Sequence, residues 1–300
     1  MGEGAGMSDK VFLDYDQAEL DRCYDQANFA HNQDVVHRRT THYSAISRDI
    51  LGGCERLAYG PGDMEKLDLF RATKPGQPIV IFTHGGAWKS GSSTRHHGAA
   101  EMFRAVGVNY IALDFNNIGD VGGSLFPMID QVRRAVAWVW RNARSFEADP
   151  EQIYVIGHSS GAHLTGNVLT TDWSKYDVPQ TILKGGMVVS GMYELHPVSL
   201  SARSKYVNFT PEMIAELSSI RNLKYLTCPV TVAFGTEESP EFIRQNKDFA
   251  DSLQKIGKLR ELVVAEGYNH FEILETINNP FGVLGRAALK MLGREIGMAR

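Results

Sequence analysis

The chain has 300 residues, a formal net charge of -4, 43% hydrophobic residues and three cysteines. That length and apolar content suit one large domain with a buried core, and the near-neutral balance speaks against nucleic acid as a partner, since no basic stretch exceeds His37-Arg38-Arg39 or Arg133-Arg134. No run of about 18 apolar residues offers a membrane span, and Cys23, Cys54 and Cys228 lack metal-like spacing or a thiol-nucleophile signature, as expected of packing residues in a reducing, cytoplasmic setting.

The first ten residues are polar and Gly-rich, with no apolar stretch of the signal-peptide kind. Met7 reads as a start, so that 1–10 is expected to be a disordered lead or an appended remnant. Residues 15–30 predict an amphipathic helix, with Leu20, Cys23, Tyr24 and Ala27 on one stripe. The polar, His-rich segment 31–49 reads as an irregular arm. From Cys54 onward short β-rich runs alternate with helical ones. An opening strand pair, 55–59 and 66–70, flanks the turn-prone Gly60-Pro61-Gly62-Asp63. Compact apolar runs follow at 78–83, 108–113, 153–156, 187–189, 230–234 and 259–265, and such runs predict strands buried on both faces of a parallel sheet. Helical spacing marks 126–144, through Ile129, Val132, Val136 and Val139, and 241–256, through Phe242, Phe249 and Leu253. The alternation predicts a doubly wound α/β sheet of eight strands with helices on both faces. Residues 193–221 interrupt the rhythm; inside them Thr210-Pro211 reads as an N-cap with proline at the first helical position. The expected organisation is thus an arm over 11–50 and a domain over 51–300 carrying a lid insertion at about 193–221, the arm and lid forming a small cap.

Two motifs carry chemistry. Gly157-His158-Ser159-Ser160-Gly161 fits G-x-S-x-G, between the strand candidate ending at Ile156 and a helical stretch opening at Ala162. A strand–turn–helix setting lifts a serine hydroxyl clear of the backbone and puts helix N-terminal amides behind it. Upstream, a strand runs into His84-Gly85-Gly86-Ala87-Trp88. Such a turn exposes backbone N–H groups, as a tetrahedral oxyanion requires, and the amides of Gly86, Ala87 and Ser160 are the expected donors. His84 is expected to be structural.

The remaining members follow from chain order: serine, acid, histidine. His270 lies beyond the last strand candidate, whereas His163 lies in the helix behind the serine and His196 in the suspected lid. The acid should follow the strand at 230–234, in the loop Gly235-Thr236-Glu237-Glu238-Ser239-Pro240, which holds no aspartate. From the residues alone Glu237 and Glu238 are equivalent, and Asp248 and Asp251 rank behind them.

With these residues in place the chain resembles the kynurenine formamidase (arylformamidase)-like branch of the α/β-hydrolases, near the hormone-sensitive-lipase-like esterases. The likeness runs over about 57–281. It rests on the His-Gly-Gly-Ala-Trp turn, the elbow with Ala162-His163-Leu164, Thr171-Asp172-Trp173, Lys184-Gly185-Gly186, Ser190-Gly191-Met192-Tyr193-Glu194-Leu195, Ser239-Pro240-Glu241-Phe242 and Asn269-His270-Phe271. The resemblance implies that the acid is the residue just before Ser-Pro-Glu-Phe, which is Glu238, a glutamate where aspartate is commoner. It further implies an acyl-enzyme on Ser159, no metal or organic cofactor, and a small aryl-linked amide or ester such as an N-formyl arylamine. Gly85, Trp88 and Tyr193 are the expected substrate contacts, with Phe115 and Tyr206 as further candidates for an apolar wall. A general carboxylesterase and a non-catalytic receptor of the same fold are the rival readings. The only partner expected is a small-molecule substrate; a homodimer is left open.

Overall fold

The computed structural model describes residues 9–294; of the lead expected at 1–10, all but the last two residues lie outside them. Among these residues are eight strands: β1 (Glu55–Ala58), β2 (Lys66–Phe70), β3 (Gln77–Thr83), β4 (Asn109–Leu113), β5 (Ala148–His158), β6 (Leu183–Val189), β7 (Val230–Gly235) and β8 (Leu259–Ala265). They form one sheet in the order β1-β2-β4-β3-β5-β6-β7-β8. β2 runs antiparallel to both β1 and β4, and every other pair is parallel.

Among the described residues ten α-helices accompany it: α1 (Gln17–Cys23), α2 (Gln33–Ile50), α3 (Ala99–Ala105), α4 (Leu125–Asn142), α5 (Ser160–Leu169), α6 (Leu195–Leu200), α7 (Pro211–Leu217), α8 (Pro240–Lys255), α9 (Glu272–Glu275) and α10 (Val283–Met291). Alternate strand residues feed two cores, because successive side chains leave a strand on opposite faces. Ile79, Ile81, Ile111, Val155, Val188 and Val232 pack with α4, α5 and α8. Val80, Phe82, Tyr110, Ile156, Met187 and Val189 pack with α3 and α10. This is the α/β-hydrolase architecture expected, with a mostly parallel eight-stranded sheet and helices on both faces.

Three elements differ from expectation. The helix predicted at 15–30 breaks after α1, which starts in a capping box between Asp16 and Glu19. Asp25 then takes the Ala27 amide and caps a separate 3-10 turn, Gln26–Phe29. The segment read as an irregular arm is the 18-residue helix α2. Its inner face buries only Val36, Ser44 and Ser47 and is held by polar contacts: Ser44 to the Arg95 carbonyl, Ser47 to Glu101, and Arg39 to Glu275. An apolar-stripe search does not register such a face. Finally, β8 is an edge strand, alternately exposed along its length, and not buried on both faces.

The interrupting segment 193–221 folds into α6, α7 and intervening 3-10 turns. Thr210 caps α7 by accepting the Met213 amide at 3.1 Å, with Pro211 in the first turn. This segment and the N-terminal residues 21–40 lie over the carboxyl ends of β3 and β5 and close one side of the cavity described next.

Candidate active site

The parallel strands deliver their following loops to one edge of the sheet. β5 ends at His158, and Ser159 turns the chain directly into α5 with φ 58° and ψ −126°, a conformation that costs a non-glycine residue roughly 1–3 kcal/mol. Close packing fixes the turn: a Cβ on Gly161 would overlap the backbone carbonyl oxygens of Thr83 and His84. A Cβ on Gly85 would come within 2.9 Å of both the Ser159 Cβ and the His158 carbonyl oxygen.

Ser159 Oγ lies 2.8 Å from His270 Nε2, and His270 Nδ1 lies 2.9 Å from Glu238 Oε2. The second carboxylate oxygen of Glu238 accepts the Ser190 hydroxyl at 2.6 Å and the Gly235 amide at 2.7 Å. All three members are buried. With both carboxylate oxygens occupied, Glu238 is aimed at the ring, an arrangement that suits a tautomer with Nδ1–H donating to the carboxylate and Nε2 facing the serine hydroxyl. Glu237, one residue earlier, is exposed and only donates its amide to the Tyr268 carbonyl.

The chain after β3 makes an unusual turn: Gly86 at φ 122°, Ala87 at 54° and Trp88 at 63° are consecutive. Among the described residues the amides of Gly86, Ala87 and Ser160 carry no hydrogen bond to the protein. The Trp88 amide, by contrast, is used, donating to Ser160 Oγ at 3.2 Å and tying this loop to the start of α5. His84 stacks on Phe115 at 4.3 Å, and Nδ1 donates to the Gly85 carbonyl. Burial lowers its pKa, leaving it a neutral brace beneath the turn.

A cavity of about 540 Å³ opens over Ser159 and His270. Gly85, Gly86 and Ala87 border it, as does Tyr206. Two expected substrate contacts need correction. Trp88 does not border the cavity; its ring is buried edge-on against His163. Tyr193 is fully buried, stacked on Phe249 at 4.1 Å with its hydroxyl 3.1 Å from Asn246, and is held inside the core. Phe115, beneath His84, is likewise internal.

Sequence reasoning missed three supporting residues. His158 Nε2 donates to the His270 carbonyl at 2.8 Å, and burial foremost holds this imidazole well below its ordinary pKa. Ser190, at φ 54°, orients Glu238. Gln26, from the N-terminal arm, clamps Ser239, giving its amide to the hydroxyl at 2.7 Å and receiving the Ser239 N–H at 3.1 Å. Residues that act through backbone groups or distant loops carry no local motif.

Other reactive groups lie apart from the cavity. Burial pushes the Cys54 thiol up to about 11 and the Cys228 thiol up to about 12, away from thiolate chemistry. Cys54, Asp68 and His97 bring one ligand-type atom each within 4.8 Å of one another. Asp68, however, already accepts from Arg56, Ser93 and His97, which makes this an ion-pair network and not a vacant donor set.

Known proteins resemble this chain in sequence and fold. A kynurenine formamidase from Salmo salar is 30% identical over 300 residues, covering 94% of this chain and 98% of the relative. The chain belongs to the kynurenine formamidase family. A second family member, from Danio rerio, is 29% identical over 96% of this chain and 100% of its own length. The BD-FAE family model matches residues 67–179. More distant is the Arabidopsis thaliana isoprenylcysteine alpha-carbonyl methylesterase, 23% identical over 72% of this chain and 56% of that protein. Among solved structures, the Pyrobaculum calidifontis esterase superposes with a TM-score of 0.68 at 17% identity, covering 87% of this chain and 92% of the esterase. As a member of the kynurenine formamidase family, the protein is a hydrolase of amide or ester bonds. Among the described residues no helix is long and apolar enough to cross a membrane.

Proposed function

We propose that the protein hydrolyses small aryl-linked amides, N-formyl arylamines first among them, through an acyl-enzyme on Ser159. The observation that carries this reading is the unbroken chain Ser159–His270–Glu238, at 2.8 and 2.9 Å, on the floor of a cavity of about 540 Å³. Ser159 Oγ attacks the carbonyl carbon as His270 Nε2 takes the hydroxyl proton. The oxyanion is held by the amides of Gly86, Ala87 and Ser160, whose lack of internal partners supports that role. Collapse expels the amine, which receives the proton from His270. A water molecule, deprotonated by the same ring, then attacks the acyl ester and releases the acid and the free serine. In this reading 11–50 and 193–221 act as a cap over a catalytic domain at 51–300. A cytoplasmic setting, supported by three free thiols, belongs to it, as does assembly as a homodimer, for which Leu262 and Val264, exposed on the edge strand, offer an apolar strip.

The methylesterase relative favours a second reading, a general carboxylesterase with the same machinery. Turnover of N-formylkynurenine against short p-nitrophenyl esters separates the two. We expect the formamide to have the higher kcat/KM; strong ester turnover with negligible formamide cleavage would overturn the first reading. Stoichiometric labelling by an organophosphonate, abolished in Ser159→Ala, is expected of either enzyme and not of an inert receptor.

A further inference from the structure

Glu238 and His270 stand on the loops that leave β7 and β8, and β8 is an edge strand. Such a strand has hydrogen-bonding partners on one side only, so the base is carried from the rim of the sheet. Support for both loops comes from the N-terminal arm, and it arrives at the residue next to each triad member. On the acid side, buried Gln26 exchanges two hydrogen bonds with Ser239, and its Nε2 also donates to the Cys23 carbonyl at 3.1 Å, tying the clamp to the end of α1. On the base side, buried Asn269 folds the turn after His270: its Oδ1 accepts the amides of Phe271 and Glu272, both at 3.0 Å. Its Nδ2 donates to Asn32 Oδ1 at 2.9 Å, and Asn32 Nδ2 donates to Glu272 Oε1 at 2.5 Å.

Asn32 stands at the N-cap of the 18-residue helix α2, where an asparagine ordinarily satisfies the first amides of its own helix. Its side chain makes no capping hydrogen bond. Both ends of that amide are spent on the base loop instead. α2 meets the same region twice more. The Phe271 ring lies edge-on to His37 at 5.0 Å and to His270 at 5.1 Å, and Arg39 pairs with Glu275 of α9.

We propose that Gln26 and Asn32 are positioning residues, through which the arm brackets acid and base and keeps the Glu238–His270 contact aligned. The inference rests on the reading in which those two residues serve Ser159. Each side chain acts through the neighbour of a triad member. Misplacement of a catalytic group by about 1 Å can cost about a hundredfold in rate, so the bracket belongs to kcat and not to KM.

The test is kinetic epistasis in the full chain, with p-nitrophenyl acetate as substrate. Gln26→Ala and Asn32→Ala are each expected to lower kcat about tenfold or more, with KM within about twofold of wild type. Glu238→Ala removes the contact that the arm aligns. In that background neither arm substitution should cost more than about a further twofold. The same fold-loss in both backgrounds marks a structural role independent of the triad and overturns the proposal; so does a loss confined to KM. If Glu238→Ala itself keeps the wild-type kcat, the triad reading falls. If it loses activity and the arm variants do not, the triad stands and the bracket falls. Should an alanine variant fail to fold, an exchange decides. Asn32→Asp sets a carboxylate against Glu272 and should lose activity, whereas adding Glu272→Gln restores the match with donor and acceptor reversed. Recovery of kcat to within about threefold of wild type is expected of that double variant; a folded double variant no more active than Asn32→Asp alone overturns the proposal.

Discussion

Glu237 and Glu238 are the same residue type in adjacent positions, so only placement distinguishes them. The loop turns at Gly235, whose amide takes one oxygen of Glu238 and leaves the other for His270. Ser239 follows as the N-cap of α8, accepting the Phe242 amide at 3.2 Å, and so anchors Glu238 at the helix entrance. Glu238→Ala is expected to lower kcat by about 10³–10⁴-fold, since the ring loses both its orientation and the partner of its charged state. Glu237→Ala should leave kcat within about twofold. Steady-state kinetics on one substrate checks both, and the reverse ranking would mean that the histidine is oriented by another group. Ser190→Ala removes a hydrogen bond to a charged oxygen, and a loss of about tenfold in kcat is expected. At this scale the sequence marked Ser159 and His270 through motif and chain order. It left the two glutamates equivalent until family likeness chose between them. Ser190 and His158 stayed hidden because they act on Glu238 and on a backbone carbonyl, and no spacing rule announces such contacts.

Elements were legible wherever burial is apolar and periodic. α4 spans Leu125–Asn142, within two residues of the expected helix, because Ile129, Val132, Val136 and Val139 are all buried on one face. α2 was not legible, since its inward face uses Ser44 and Ser47, whose hydroxyls satisfy Arg95 and Glu101 across a close contact. β8 misled in the opposite direction: Leu262 and Val264 look like core residues in sequence, yet they are 36% and 42% exposed at the sheet edge. The strand–turn–helix of the elbow is the element most tightly constrained by its packing. A Cβ on Gly161 would meet two backbone carbonyl oxygens, and backbone at the centre of a sheet cannot move aside as a flexible side chain can. Gly161→Ala should therefore destabilise the protein by about 3 kcal/mol, at the upper end of overpacking costs. Gly119→Ala, with nothing within 4 Å of the added carbon, is the control and should stay within about 0.5 kcal/mol of wild type. Denaturant midpoints compare the two; equal midpoints would show that the elbow can relax.

The whole molecule holds ten histidines, and several of them are built into its interior as neutral groups. His84, His96, His158 and His163 all have lowered pKa values, with burial the foremost cause in each. For His163, in α5 and facing the end of α7, the value falls from 6.5 to about 4, while Nε2 donates to the Leu217 carbonyl at 2.9 Å. A folded-state pKa below the unfolded one means that the unfolded chain binds the extra proton as pH falls below about 6.5. Stability from such a group is complete above that pH. It is lost progressively on acidification and levels off once the folded form titrates, near pH 4 for His163. The span corresponds to about 3 kcal/mol for this one residue. Asp68 adds a separate step at lower pH. Burial alone would raise its carboxyl, but His97, Ser93 and Arg56 outweigh that and hold it at about 2, so its contribution is present above about pH 4 and lost toward pH 2. Stability measured against pH should therefore be level above about 7, fall between about 6.5 and 4, and fall again toward 2. His163→Gln retains a donor for the Leu217 carbonyl but cannot take up a proton. Its stability should decline less steeply than wild type between pH 6.5 and 4, by up to about 3 kcal/mol over that interval. Parallel curves for the two proteins would mean that His163 takes up its proton equally in the folded and unfolded chains, so that burial does not hold it neutral.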